Sequence, residues 1–261
     1  MKKYVSDLLV KSVEFLRADY FLMKLTAADG QPLPEMRPGQ FVEVKVEQSG
    51  TTFLRRPISI NYVDRTRGEL WLLVHIVGDG TAALSKKQAG DTVNLMFPLG
   101  NGFSLDYAPS AKILLVGGGV GTAPLLYYGE QLRQKGCEPT FLLGGRSAKD
   151  LLQLEEFRKI GRTFVTTEDG SAGEKGFVTN HSILAQEHFD AIATCGPKPM
   201  MMAVARFAFS QDTPCEASLE NLMACGIGAC LCCVEKKSDG HNVCVCKEGP
   251  IFKTTELQWH N

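Results

Sequence analysis

The first hundred residues carry short apolar runs broken by polar positions. "YFLMKLTA" (20–27), "FVEVKV" (41–46), "FLRRPISI" (53–60), "ELWLLVHIV" (69–77) and "DTVNLMFPL" (91–99) alternate or are rich in strand formers. Pro38-Gly39, Gly50, Gly68, Gly78, Gly80, and Pro98 with Gly100 punctuate them. Strands this short and closely spaced predict an antiparallel β-barrel over residues 1–107, with "TAALSKK" (81–87) as its one helix. Near Tyr107–Ser110 the pattern changes. "KILLVGGG", "TFLLGG", "RTFVTT" and "FDAIATCG" read as strands. Helical stretches separate them at Pro124–Lys135, in "LLQLEEFRK", near His181 and at Pro199–Phe209. That alternation predicts a doubly wound parallel sheet over residues 108–211. From about Asp212 the periodicity fades, leaving a tail at 212–261 too small to rest on apolar burial alone. The fold class expected is therefore multidomain, α+β and α/β: barrel, parallel-sheet domain and small C-terminal domain.

Composition narrows the function. The chain has 261 residues, 44% of them apolar, enough for real cores, and a net charge of −1 that marks no nucleic-acid or anionic-membrane partner. Asp7, Lys11 and Glu14 interrupt the N-terminal apolar residues, so no secretory leader is expected, and no apolar run is long enough to span a bilayer. A cytoplasmic chain follows from this reading. Its nine cysteines are then more consistent with metal or redox work than with disulfides.

Six of the nine fall between Cys225 and Cys246. Cys225-x4-Cys230-x2-Cys233, with a further cysteine downstream, is the spacing that holds a [2Fe–2S] cluster. Gly226 and Gly228 sit in the first spacer, where the backbone must bend and its amides approach sulfur. Zinc on Cys230, Cys233 and Cys244 or Cys246 is the competing assignment. Spacing does not choose between Cys244 and Cys246, which share a face if extended. Cys232 points away from its neighbour Cys233 in an extended segment.

Two other stretches invite nucleotides. Arg56 and Ser59 on one strand can reach a diphosphate, with Pro57 and Ile58 presenting backbone to a flat ring; taken alone, these residues read more commonly as a plain buried strand flanked by a surface arginine. Gly80 and Thr81 open a helix, where amides favour an anion, although Thr81 also serves as a simple cap. Gly117, Gly118, Gly119 and Gly121, then Thr122, close a strand and start a helix, the place where a pyrophosphate meets bare backbone. Cys195, Gly196 and Pro197 end a later strand on the same crevice. Arg146 is either a solvated loop residue or a contact to ribose or phosphate.

Taken together, "RPIS" and "GDGT" on a barrel, followed by "GGGVGTAP" and "CGPKPM", resemble the ferredoxin–NADP reductase superfamily. "MACGIGACLCCVE" with "VCKEGPIF" resembles, more narrowly, the electron-transfer subunits of dihydroorotate dehydrogenase B, and the resemblance covers essentially the whole chain. It implies FAD on Arg56, Pro57, Ile58 and Ser59, on Leu73, Val74 and His75 of the next strand, and on Gly80 and Thr81 at the phosphates. It implies cluster ligands Cys225, Cys230, Cys233 and Cys246, the last favoured by the Lys247-Glu248-Gly249-Pro250 that follows. Cys232 and Cys244 are extra thiols relative to the family. It implies NAD as acceptor and an FMN-containing catalytic partner, a (β/α)8 barrel in a heterotetramer of two of each subunit, serving pyrimidine biosynthesis.

The cofactor set has its own logic. A nicotinamide moves two electrons as hydride and a [2Fe–2S] cluster moves one, so a flavin must stand between them. His75, His181, His188, His241 and His260 are scattered, and no site able to oxidise dihydroorotate is expected in this chain. Two alternatives remain at this stage: a related flavin/iron–sulfur NAD(P)H oxidoreductase subunit acting with ferredoxin or polysulfide, and a zinc-stabilised nucleotide-binding module without redox turnover.

Overall fold

The computed structural model describes residues 2–47 and 50–259; His260 lies outside them. Contacts divide the chain into two compact units. One is Met1–Gly102 with Glu220–Glu235 and Val243–Pro250; the other is Phe103–Leu219 with Lys236–Asn242 and Ile251–Asn261. By contact, the tail is divided between these two units.

The first unit is built on a seven-stranded antiparallel sheet: β1 (Tyr4–Arg17), β2 (Tyr20–Ala27), β3 (Phe41–Val44), β4 (Arg56–Ser59), β5 (Tyr62–Asp64), β6 (Glu69–His75) and β7 (Thr92–Leu99). Their order is β4-β3-β7-β1-β2-β6-β5, and the sheet curls until β4 meets β6. Helix α1 (Asp79–Leu84) follows β6. It starts two residues before the expected "TAALSKK" and stops sooner. The longest strand, β1, was not among the expected elements. The polar residues that argue against a leader peptide, Asp7, Lys11 and Glu14, are among its exposed positions, with Val5 and Phe15, while Leu8 and Val10 face the core. Phe21, Leu25, Val42, Ile60, Leu70 and Leu95 fill the curl at essentially no exposure, each contributing about 1.5–3 kcal/mol.

The second unit carries β8 (Lys112–Gly118), β9 (Glu138–Gly145), β10 (Arg162–Thr167), β11 (Glu174–Lys175), β12 (Ala191–Cys195) and β13 (Cys215–Ser218), with helices α2 (Ala123–Gln134), α3 (Leu154–Ile160), α4 (Ile183–Gln186) and α5 (Lys198–Ser210). The tail adds a ribbon of β14 (Val234–Lys236) and β15 (Asn242–Cys244), the short helix α6 (Val245–Glu248), and β16 (Ile251–Lys253). Sheet order is β11-β10-β9-β8-β12-β13-β16, parallel except for β16, which runs antiparallel to β13. The chain leaves β8 for β9 on one side and reaches β12 on the other, so the crevice at the carboxyl ends of β8 and β12 is the topological switch point. Leu114, Val116, Leu142, Ile192, Val204 and Ala208 form part of the core beneath it. Gly129 lets α2 lie against β9, because a Cβ there would strike the Phe141 ring. Among the described residues, no helix is long and apolar enough to cross a membrane.

Candidate cofactor sites

The cysteine loop belongs to the first unit. Gly226 (φ +65°), Gly228 (φ +82°) and Leu231 (φ +59°) are left-handed, which winds Cys225–Cys233 tightly. The amides this exposes point at sulfur. Ala229 and Cys230 donate to the Cys225 sulfur at 3.3 and 3.4 Å, Gly228 donates to that of Cys246 at 3.1 Å, and Cys246 donates to that of Cys233 at 3.4 Å. Such N–H···S bonds stabilise thiolates. Burial pushes the Cys225 thiol up, but the amides of Ile227, Cys230 and Ala229 and the Cys230 thiol outweigh it and bring the group to about 6. Cys246 goes the other way. Burial and the adjoining Cys233 thiol push it up to about 12, the Gly228 amide opposing.

The cysteines sort by pairs. The Cys230 amide donates to the Cys225 sulfur, and the Cys246 amide to the Cys233 sulfur. Among the described residues no three His, Cys, Asp or Glu side chains stand close enough together to hold a metal ion as they are placed. Two thiolates on each of two irons is the arrangement a [2Fe–2S] cluster uses, and the residues fit that group. The extra thiols fall elsewhere: Cys232 is exposed, and the Cys244 sulfur is directed to the Gly228 carbonyl at 4.0 Å. Gly228 therefore presents its N–H to one candidate fourth ligand and its C=O to the other.

On the barrel, β4 carries Arg56, Pro57, Ile58 and Ser59, all half-buried, opposite Val44, Glu43, Val42 and Phe41 of β3. The Arg56 Nε lies 2.8 Å from where a Cβ on Gly80 would stand, so this guanidinium and the start of α1 converge. The Thr81 hydroxyl is engaged in the turn: it donates to the Gly78 carbonyl at 3.1 Å and accepts from the Val77 and Gly78 amides at 3.0 and 3.3 Å. Leu73 and Val74 are buried on β6. His75 is half-exposed and stacks on Tyr20, ring centroids 4.2 Å apart, with its Nε2 3.5 Å from Asp19. Asp19 is in turn gripped by Arg17 at 2.5 Å. That Arg17–Asp19–His75 line is not legible in sequence, because it joins the β1–β2 turn to β6.

In the second unit the glycines divide by task. A Cβ on Gly121 would lie 2.5 Å from the Gly196 nitrogen and 2.6 Å from the Cys195 carbonyl; on Gly118, 2.7 Å from the Met200 sulfur; on Gly117, 2.9 Å from Leu125. These three are packing glycines. Gly119 (φ +57°) has nothing within 4 Å and is the bare backbone of the crevice. Thr122 donates to the Gly119 carbonyl at 3.0 Å and fixes that turn. Gly196 (φ +149°) and Pro197 close the other wall, while the Cys195 side chain is fully buried. Arg146, at the end of β9, is largely exposed, 3.9 Å from Asp150.

Comparison with known proteins agrees with this geometry. The family model "Iron-sulfur cluster binding domain of dihydroorotate dehydrogenase B" matches residues 220–258, and "Oxidoreductase NAD-binding domain" matches residues 115–206. The dihydroorotate dehydrogenase B (NAD+) electron transfer subunit of Bacillus caldolyticus is 42% identical over 233 residues, 87% of this chain and 90% of that protein. The chain belongs to this family. The Listeria monocytogenes subunit of the same name is 42% identical over 232 residues, 88% of this chain and 90% of that protein. Among solved structures, one of an NADH-dependent reduced ferredoxin–NADP oxidoreductase, described in terms of flavin-based electron bifurcation, superposes with a TM-score of 0.85. It is 32% identical and covers 97% of this chain and 90% of that one. A cytochrome P450 reductase from Amycolatopsis follows the same fold at TM-score 0.66, with 26% identity, 81% of this chain and 68% of that one. Zinc as the occupant of the cysteine loop gives way to iron–sulfur on the family match.

Proposed function

We propose that the chain passes electrons, received singly from a dihydroorotate-oxidising partner, through its cluster and flavin to NAD+. It is the electron-transfer subunit of an NAD-dependent oxidoreductase, with FAD, a [2Fe–2S] cluster and NAD as cofactors. The flavin supplies the exchange between single electrons and a hydride pair. The observation that carries the reading is the cysteine loop: four cysteines linked two and two by backbone contacts, with four backbone N–H groups on the sulfurs of Cys225, Cys233 and Cys246.

The residue roles are part of the proposal. Cys225, Cys230, Cys233 and Cys246 hold the cluster, and their amide partners stabilise its thiolates. Arg56 grips the flavin diphosphate beside Gly80 and the first turn of α1; Thr81 shapes that turn. Pro57, Ile58 and Ser59, with Leu73, Val74 and His75, line the ring with backbone and side chain. Gly119 receives the pyrophosphate of NAD on a turn held by Thr122, and Gly117, Gly118, Gly121, Cys195, Gly196 and Pro197 set its walls. By cofactor, the modules are 1–107 for FAD, 108–211 for NAD and 212–261 for the cluster. The partner is an FMN-containing catalytic subunit, in a cytoplasmic heterotetramer of two of each chain that serves pyrimidine biosynthesis.

The test is co-purification with that partner. Yellow-brown protein with flavin and iron, and dihydroorotate-dependent NAD+ reduction that needs both chains, are expected. Flavin and iron without that coupled activity would transfer the chain to a second reading, a reductase subunit serving ferredoxin or polysulfide. That reading is favoured by the 97% coverage of this chain by the ferredoxin–NADP oxidoreductase structure.

A further inference from the structure

Glu43 has no exposed surface, and neither of its carboxylate oxygens has a hydrogen-bond partner. The other orphaned side-chain atoms among the described residues are the neutral hydroxyls of Thr166 and Thr194. Burying an uncompensated carboxyl is costly, and such groups persist where function retains them.

Its surroundings say which function. Glu43 lies on β3, opposite Pro57 of β4 and Met96 of β7. On its other side is the cysteine loop. A Cβ built on Gly226 would stand 2.8 Å from the Glu43 Cγ and 3.2 Å from its Oε1, so the carboxyl packs directly under the residue that follows Cys225. Of the two arginines whose charge reaches it, Arg55 is engaged with other groups. Arg55 donates to the Glu43 main-chain carbonyl at 3.1 Å, to the Asn94 carbonyl at 3.1 Å and to the Asn94 side chain at 2.5 Å. Burial pushes the Glu43 carboxyl up to about 7; Arg55 and Arg56 pull it down and the Cys225 thiol pushes it up.

We propose that Glu43 sets the reduction potential of the iron–sulfur centre, its carboxylate acting from between Gly226 and the Arg56–Ser59 strand to hold that potential low. This rests on the reading above that the cysteine loop carries a cluster. A reduced cluster holds one more negative charge, and a fixed carboxylate in a dry pocket opposes it with little screening. Glu43 is a positioning residue for charge and takes no part in bond making.

The experiment is a dye-mediated redox titration of the purified holoprotein at pH 8.5. The cluster is followed by electron paramagnetic resonance and the flavin by visible absorption, in wild type, Glu43→Gln and Glu43→Met. Both variants are expected to keep iron and flavin, with the cluster midpoint displaced upward and the flavin midpoint displaced less. An unmoved or lowered cluster midpoint in loaded variants would overturn the proposal alone. So would loss of the cluster from both variants while wild type keeps it, since Glu43 would then be structural. A wild-type protein without any cluster would instead bring down the functional reading, and this inference with it.

Discussion

Gly228 gives its N–H to the sulfur of Cys246 at 3.1 Å, while its carbonyl takes the weak S–H of Cys244 at 4.0 Å. A thiolate wants donors, so the polarity of one peptide unit separates two cysteines that lie two residues apart. Cys246→Ser is therefore expected to lose iron, whereas Cys244→Ser and Cys232→Ser keep it. Iron and acid-labile sulfide per flavin in the three proteins measure this directly.

The tight loop makes a second expectation. Gly228→Ala places a Cβ 2.9 Å from the Lys247 side chain and holds a non-glycine residue at φ +82°, a strain of about 1–2 kcal/mol. The cluster should form but bleach faster under a ferrous chelator than in wild type, as followed in the visible spectrum.

Arg56 lies across Gly80, where a phosphate would meet both. A charge-assisted hydrogen bond is worth about 1.5–3 kcal/mol, so Arg56→Ala should weaken FAD retention by about tenfold to a hundredfold. Flavin fluorescence released on dilution reads the change, and iron content should stay at the wild-type level.

Gly121→Ala tests the crevice. The new methyl would strike the Gly196 backbone and push the β8 and β12 walls apart, at about 1–3 kcal/mol. NADH binding should fall sharply in equilibrium titration, while flavin and iron, held in the other unit, remain.

His181 sets a pH dependence. It is buried, and its Nδ1 accepts the Ile183 amide at 3.0 Å; burial holds its pKa below the usual histidine value, with Glu174 opposing. Below about pH 6.5 the unfolded chain takes up a proton that the folded one resists. Stability should therefore decline as pH falls from about 6.5, until the folded-state value is passed, and then level off. His181→Gln should flatten that part of the denaturation-midpoint profile.

Much of this arrangement was legible in the chain, and the rest was hidden for physical reasons. The glycine run at Gly117–Gly121 marks the crevice, but only the structure divides it into three packing glycines, Gly117, Gly118 and Gly121, and the bare Gly119. Cys225, Cys230 and Cys233 stand out equally, since their spacing is one that holds clusters, and the structure winds them into one loop. Strand β1 was missed because its apolar residues fall on both faces and do not alternate: Val5 and Phe15 are exposed, with Leu8 and Val10 its only well-buried apolar residues. Strands β13 and β16 are too short for a period, and what makes them strands is the pairing of Glu216 with Lys253 and Ala217 with Phe252. Glu43 sits in "FVEVKV" as one acid among β-branched residues, and only burial shows that it faces inward.

The barrel unit breaks off at Gly102 and resumes at Glu220. A ribosome must therefore make the whole run from β8 to β13 before the segment that covers Glu43 exists. Vectorial synthesis thus completes all seven strands of the curled sheet before the cysteine segment that packs on it has been made.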